Sequence, residues 1–123
     1  MSRYFESQVS GLLEKVNILG VEYDIIVRAE EDDDNLQDNY SYCDMSTKQI
    51  VVCSMRDLIN KEPIVVGDLD VIRDHCIRHE IIHAMLYESG LNTTCDFAIN
   101  EEAVDWIALQ FHKLRKIFEE IEV

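Results

Sequence analysis

The segment DLDVIRDHCIRHEIIHAMLYESG, residues 68–90, decides how the rest of the chain can be arranged. Asp68 or Asp70 is a suitable N-cap, because a carboxylate there can accept a hydrogen bond from a backbone N–H of the first helical turn. Gly90 can adopt the left-handed conformation with which many helices end. No proline or glycine lies between these signals, so the segment predicts one long helix that ends at residue 88 or 89.

Apolar side chains occupy two opposite faces of this predicted helix. One face carries Ile72, Cys76, His79, His83 and Leu86, and the other carries Ile77, Ile81, Ala84 and Met85. A helix that is apolar on two sides must be covered on both, so we expect it to lie between two layers of structure. One face can pack on a sheet, and the histidine face must then meet another element.

His79, Glu80 and His83 form the pattern H-E-x-x-H inside this helix. Imidazoles at positions i and i+4 stand one turn apart on one face, so both can reach a single zinc ion. Glu80 is turned about 100° around the helix, which puts its carboxylate beside the ion, where it can take a proton from a zinc-activated water molecule. The pattern predicts a zinc site with Glu80 as general base, and the facing element must supply a third ligand. The alternative is two ordinary histidines of a buried helix.

The remaining sequence predicts a small sheet and a second long helix. β-Branched and aromatic residues over residues 16–27, interrupted by Gly20, are typical of one or two strands around a turn. Strand chemistry resumes over residues 40–53, with Gln49–Cys53 the clearest strand, and residues 99–121 lack glycine and proline and predict a C-terminal helix. We expect an α+β fold in which a small, mostly antiparallel sheet packs on the H-E-x-x-H helix and the C-terminal helix closes the metal site.

Three shorter segments give further predictions. Near-helical spacing of apolar residues predicts a short N-terminal helix over residues 3–13. The charge-rich residues 30–38 predict an exposed loop with no buried core residue. Ser54 can cap a short helix that runs through Asn60.

Length and charge limit the possible functions. At 123 residues the chain has the usual size of one domain, so residues 1–123 are treated as a single domain. The 25 acidic residues outnumber the 11 Lys and Arg residues and give a net charge of −14. This charge argues against nucleic-acid and membrane partners and suits a basic peptide or protein. Because the chain lacks both a bilayer-spanning window and an N-terminal secretory segment, we expect a cytoplasmic protein.

The four cysteines show no C-x-x-C spacing, and we expect reduced thiols packed as small apolar groups. They are Cys43, Cys53, Cys76 and Cys95. Cys76 needs separate attention, because it shares a helix face with His79 and His83 and its thiolate could close a four-coordinate structural zinc site. A structural site, however, has no use for Glu80, and one helix rarely supplies three donors to one zinc ion.

The start of the C-terminal helix carries Asn100, Glu101 and Asp105 in the pattern N-E-x-x-x-D. H-E-x-x-H followed by this pattern resembles the gluzincin metallopeptidases. The resemblance implies that Glu101 is the third zinc ligand and that Asp105 bonds His79. The helical wheel also favours Glu101 over Glu102, because Glu101 stands nearer the apolar stripe of the helix.

The short chain, the strand before the motif and the sequence HEIIHAMLYESGL resemble more closely the minimal ImmA/IrrE-like metallopeptidases of phages and integrative elements. This resemblance implies zinc-dependent hydrolysis of peptide bonds in a peptide or protein substrate. It also implies that a phage-encoded protein of this kind would act in the cytoplasm of the host.

Some choices remain open from the sequence. The alternative function is a non-catalytic, zinc-stabilised binding module that acts on a repressor or another protein partner. The group that would stabilise the transition state is Tyr40, Tyr42 or Tyr87, and sequence does not choose among them. The strand Gln49–Cys53 could bind substrate by strand addition if it lies at a sheet edge.

His75 and His112 are predicted not to bind the metal. Ligands at i, i+4 and i+8 on one straight helix are too far apart for His75 to join the two motif histidines. His112 lies ~16 Å along its helix from Glu101.

Overall fold

The computed structural model describes residues 10–61 and 68–123, which form four strands and three α-helices. The strands are β1 (Gly11–Ile18), β2 (Val21–Arg28), β3 (Ser41–Asp44) and β4 (Gln49–Cys53), and the helices are α1 (Met55–Lys61), α2 (Leu69–Glu88) and α3 (Glu101–Glu120). The α+β class predicted from the sequence is therefore confirmed. None of the described helices is long and apolar enough to cross a membrane.

The sheet is mixed, with strand order β1-β2-β4-β3. β1 pairs with β2 and β3 pairs with β4 in antiparallel fashion, whereas β2 and β4 run parallel. Leu19 and Gly20 both have positive φ, 51° and 90°, as a two-residue hairpin turn between β1 and β2 requires. The predicted strands over residues 16–27, with their turn at Gly20, are confirmed.

Strand β4 lies inside the sheet, between β2 and β3. Its side chains Ile50, Val51 and Val52 are fully buried and belong to the larger core. The condition under which Gln49–Cys53 could add a peptide strand, a position at the sheet edge, is not met, because its backbone pairs with β2 on one side and with β3 on the other. Among the described strands, β3 lies at an edge of the sheet and contacts α2.

Helix α2 contacts both the sheet and α3. Ile77 and Ala84 belong to the larger core, together with β2 and β4. Ile82 and Leu86 belong to a smaller core that includes Val104 and Ala108 of α3. Because α2 packs on both, it sets the position of α3 relative to the sheet. This packing brings the start of α3 next to the histidines of α2.

The ends of the helices follow their predicted caps. Asp68 accepts a hydrogen bond from the backbone N–H of Asp70 at the start of α2, and Gly90, with φ of 85°, follows the end of that helix. The Ser54 hydroxyl accepts a hydrogen bond from the backbone N–H of Asp57 in α1. All four cysteines are free thiols.

The predicted N-terminal helix is wrong where it can be compared. Residues 3–9 lie outside the described residues, and Gly11 begins β1. Gly11 has a φ of 133°, which no α-helix accommodates, and it pairs with Val27 of β2. Cross-strand pairing has overridden a weak helical spacing of apolar side chains.

The acidic segment of residues 30–38 is only partly exposed. It forms two short 3-10 turns, and Leu36 is completely buried. Asp33 is also buried and accepts hydrogen bonds from the Tyr42 hydroxyl and from Arg28. Burial works to raise the pKa of Asp33, but these hydrogen bonds outweigh it and hold the pKa below its usual value. The prediction failed because one buried apolar side chain and one ion pair to a buried carboxylate are enough to hold a charged segment against the fold.

Candidate metal centre

Three side chains from α2 and α3 bring ligand atoms to one point. The Nε2 atoms of His79 and His83 lie 3.2 Å apart across one helical turn. Oε1 of Glu101, the first residue of α3, lies 3.1 Å from Nε2 of His79 and 2.6 Å from Nε2 of His83. The contact between α2 and α3 thus brings together two histidines and a carboxylate that are distant in the sequence.

Asp105 lies one turn after Glu101 and contacts two imidazoles. Its Oδ1 atom lies 3.1 Å from Nδ1 of His79 and 2.8 Å from Nε2 of His75. A carboxylate can only accept, so both ring nitrogens donate. Burial works to raise the pKa of Asp105, but the hydrogen bonds from His75 and His79 outweigh it and keep the pKa below its usual value. His75 is therefore a hydrogen-bond partner of Asp105, and Asp105 in turn contacts His79 of the cluster.

The hydrogen bond to Asp105 determines which atom of His79 faces the cluster. A neutral imidazole that donates from Nδ1 presents a lone pair at Nε2. Nε2 of His79 then meets Oε1 of Glu101 and Nε2 of His83, and electron-rich atoms are gathered within 3.2 Å of one another. Either a metal ion, or the ring proton of His83 carried on Nε2 and donated to Glu101, can relieve the repulsion among them.

Two of the three separations among these atoms are close to those of ligands that share one zinc ion. Ligands arranged tetrahedrally at ~2.0 Å from zinc lie ~3.3 Å from one another. The two nitrogens, 3.2 Å apart, and the 3.1 Å separation of Glu101 from His79 are close to that value. The 2.6 Å separation of Glu101 from His83 is shorter. Two histidines and one carboxylate are also a ligand set typical of catalytic zinc, which keeps a fourth position for water or substrate.

Glu80 lies beside this cluster and is held by a strand. Its side chain is buried, and Oε2 accepts a hydrogen bond from the Ser41 hydroxyl at 2.7 Å. Burial raises the pKa of Glu80, against the lowering effect of Ser41 and of the two motif histidines. A carboxylate with a raised pKa is better matched to proton transfer near neutral pH than an ordinary glutamate.

Ser41 is a site residue that the sequence did not reveal. It is the first residue of β3 and lies 39 positions before Glu80. Its only local signal is a hydroxyl in a run of strand-forming residues, which is common. Only the packing of β3 against α2 brings the two side chains together.

A cavity of about 670 Å³ opens over these groups between β3, α2 and α3. It is lined by Asn39, Ser41, Tyr42, Cys43, Met45, His79, Glu80, His83, Glu101, Glu102 and Asp105. The lining combines the metal-binding and proton-transfer candidates with the side chains of an edge strand. A segment of extended peptide therefore has space beside the candidate metal centre.

Comparisons with protein-family models, curated proteins and solved structures found no match to this chain. The functional argument therefore depends on the residues of the site themselves.

The three candidate tyrosines have different surroundings. Tyr42 lines the cavity, and its hydroxyl donates to Asp33 at 2.5 Å. Burial and this hydrogen bond both raise the pKa of Tyr42. The hydroxyl of Tyr40 is directed to the carbonyl of Lys61, and the ring of Tyr87 packs on the ammonium of Lys48. Of the three, only Tyr42 faces the cavity that contains Glu80.

Cys76 does not join the cluster. It is buried, and it is in neither of the compact donor sets, His79–Glu80–His83 and His75–His79–Asp105, in which ligand atoms lie within 4.8 Å of one another. Glu101 is also outside these two sets, but its Oε1 atom contacts both motif imidazoles. Burial raises the pKa of its thiol to about 11. Zinc binds the thiolate, so this environment disfavours the closed structural site that the sequence left open.

Proposed function

We propose that this protein is a zinc-dependent peptidase in which His79, His83 and Glu101 bind the metal and Glu80 is the general base. The observation that carries the proposal is the convergence of two imidazole nitrogens and one carboxylate oxygen within 3.2 Å. The buried Glu80 carboxylate beside them is what distinguishes a catalytic from a structural site.

A zinc ion bound there would polarise the scissile carbonyl and lower the pKa of a water molecule. The Glu80 carboxylate accepts the proton of the attacking water and then transfers it to the amine that leaves. The net reaction adds one water molecule across the peptide bond and yields a carboxylate and an amine. Because Ser41 holds Oε2 of Glu80, the second oxygen of that carboxylate is left to carry the proton.

The edge strand β3 is the best candidate for binding the substrate backbone. Ser41, Tyr42 and Cys43 of β3 line the cavity, and within residues 10–61 and 68–123 this strand pairs on one side only, with β4. A peptide that adds to the open side of β3 would gain backbone hydrogen bonds and pass over Glu80. The net charge of −14 favours a substrate with basic side chains.

The first experiment measures metal and hydrolysis in the same preparation. We expect one zinc per chain by elemental analysis and cleavage of a peptide library that a chelator abolishes. Glu80→Gln should keep the zinc and lose cleavage by orders of magnitude, because the general base is not a ligand. Glu102→Gln, which makes the same chemical change at the rim of the cavity, should retain both the zinc and the cleavage activity.

The outcomes separate the alternatives. A protein that takes up no zinc even after incubation with the metal contradicts the metal site, and a proton then satisfies the cluster. Zinc binding without any cleavage favours the non-catalytic binding module that acts on a protein partner. Loss of zinc in Glu80→Gln would contradict the role given to Glu80.

A further inference from the structure

The second half of α3 presents an apolar stripe that no other described element covers. Residues 113–120 are all exposed. Among them Leu114, Ile117 and Phe118 are 43%, 55% and 44% exposed, and Ile121 at the helix end is 64% exposed. We call these four side chains the α3 stripe. Contiguous exposed apolar side chains of this size mark an interaction surface, and an unsupported helical end of this length is only marginally stable.

The α3 stripe faces away from the candidate metal centre. At 100° per residue, Leu114, Ile117 and Phe118 fall within an arc of about 100°, and Glu101 and Asp105 lie on the opposite side of the helix. A partner on the stripe would therefore leave the cavity over Glu80 open. The inference that follows does not depend on the peptidase proposal.

Charged residues flank the α3 stripe in the same order on both sides. One flank carries Arg115 and then Glu119, and the other carries Lys113 and then Glu120. On each flank the cation precedes the anion along the helix. This arrangement is complementary to itself when the direction of the helix is reversed.

The flanks determine how a second copy can pack. In an antiparallel pair each flank meets the same flank of the other copy, so Arg115 faces Glu119 and Lys113 faces Glu120. In both pairings the two-fold axis passes close to Ile117, midway along the helix between the paired residues. In a parallel pair the two different flanks meet, which brings Arg115 to Lys113 and sets Glu119 against Glu120. Like charges at an interface are destabilising, so the charge pattern favours the antiparallel pair.

We propose that this protein forms an antiparallel homodimer through the α3 stripe. Within one chain Arg115 and Glu119 form an exposed ion pair at 3.5 Å. Such a pair contributes little to stability. Replacing it with an Arg115–Glu119 pair between the two copies therefore costs little free energy. Four partly exposed side chains per copy bury less than the ~1,600 Å² of a standard interface, so we expect a reversible dimer with a dissociation constant on the order of 10 µM.

The test combines sedimentation velocity with charge exchange. Over about 1 to 300 µM, the wild-type chain should change from monomer to dimer. Lys113→Glu/Arg115→Glu and Glu119→Lys/Glu120→Lys should each weaken dimerisation at least tenfold. An equimolar mixture of the two variants should form a heterodimer as readily as the wild type forms its homodimer. The variants shift the net charge in opposite directions, so a general charge effect cannot weaken both.

Three results would overturn the inference. A wild-type chain that stays monomeric over the whole range has no such interface. A parallel pair would leave both exchange variants dimeric, because like charges would still face like charges. A dimer that survives Ile117→Asp uses another surface, provided that circular dichroism shows the helix content of that variant to be unchanged.

Discussion

Glu101 and Glu102 are neighbours in the sequence but have different surroundings. Both are exposed, but Oε1 of Glu101 contacts both motif imidazoles, whereas Glu102 lies at the rim of the cavity. We predict that Glu101→Ala weakens zinc binding far more than Glu102→Ala, its matched control on the same turn. Competition with a chromophoric chelator measures both affinities, and the reverse order would contradict the ligand assignment.

Asp105 should affect zinc affinity through the orientation of His79. It fixes the tautomer of that ring from outside the ligand set, and the loss of such a partner typically costs about tenfold to a hundredfold in metal affinity. We therefore predict that Asp105→Ala falls between the two glutamate variants in the same assay. An affinity equal to that of the wild type would show that the Asp105 bond does not orient His79.

Ser41 gives a prediction about catalysis without metal loss. A hydrogen bond to a charged group contributes about 1.5–3 kcal/mol, so Ser41→Ala should reduce kcat by about tenfold to a hundredfold while zinc content stays unchanged. The control is Ser46→Ala, which removes a hydroxyl that bonds Asp44 in the exposed turn after β3. Equal activity of wild type and Ser41→Ala would show that the Ser41 bond does not position Glu80.

At the level of elements, the N-terminus of α3 both caps the helix and presents Glu101. The Asn100 side chain accepts a hydrogen bond from the backbone N–H of Ala103 at 2.8 Å. We predict that Asn100→Ala lowers the free energy of unfolding by about 1 kcal/mol and that Asn100→Ser, an equally good cap, restores it. Urea unfolding of the zinc-free protein measures both. Equal stability of all three proteins would argue against a role of the cap.

Across the whole molecule, Glu88 ties the end of α2 to the sheet. Its Oε2 atom accepts hydrogen bonds from the ammonium of Lys48, at 2.7 Å, and from the hydroxyl of Tyr23, at 2.5 Å. The hydrogen bond from Lys48, which has the larger effect, and the hydrogen bond from Tyr23 hold the pKa of Glu88 below its usual value. The buried Tyr23 comes from β2 and Lys48 from the turn before β4, so one carboxylate joins three parts of the fold.

This arrangement predicts a pH dependence of stability. With a depressed folded-state pKa, Glu88 contributes stability that is present above the unfolded-state pKa of about 4.3 and is lost as pH falls through the folded-state pKa. In zinc-free protein, the wild type should lose stability between pH 5 and pH 3 more steeply than Glu88→Gln, as measured by urea unfolding at each pH. Glu102→Gln, the exposed control, should follow the wild type. Parallel curves for wild type and Glu88→Gln would contradict the role of Glu88.

The sequence by itself determined the features that depend on nearest neighbours along the chain. The bounds of α2 follow from Asp68 and Gly90, and the i, i+4 spacing puts His79 and His83 on one face of any helix. The hairpin around Gly20 and the strand Gln49–Cys53 are equally local, because strand propensity and turn chemistry act over a few residues. Where a local signal was weak, as at residues 11–13, pairing with β2 decided the conformation instead.

Only the tertiary structure decided the contacts between elements. Packing of the second core between α2 and α3 sets the position along α2 at which Glu101 and Asp105 contact the imidazoles. No local sequence pattern specifies that position. Strand order removes β4 from the sheet edge and leaves β3, with Ser41 next to Glu80. Helix periodicity fixes which face a side chain occupies, but long-range packing fixes what that face meets, because the free energy of burial depends on shapes brought together from distant parts of the chain.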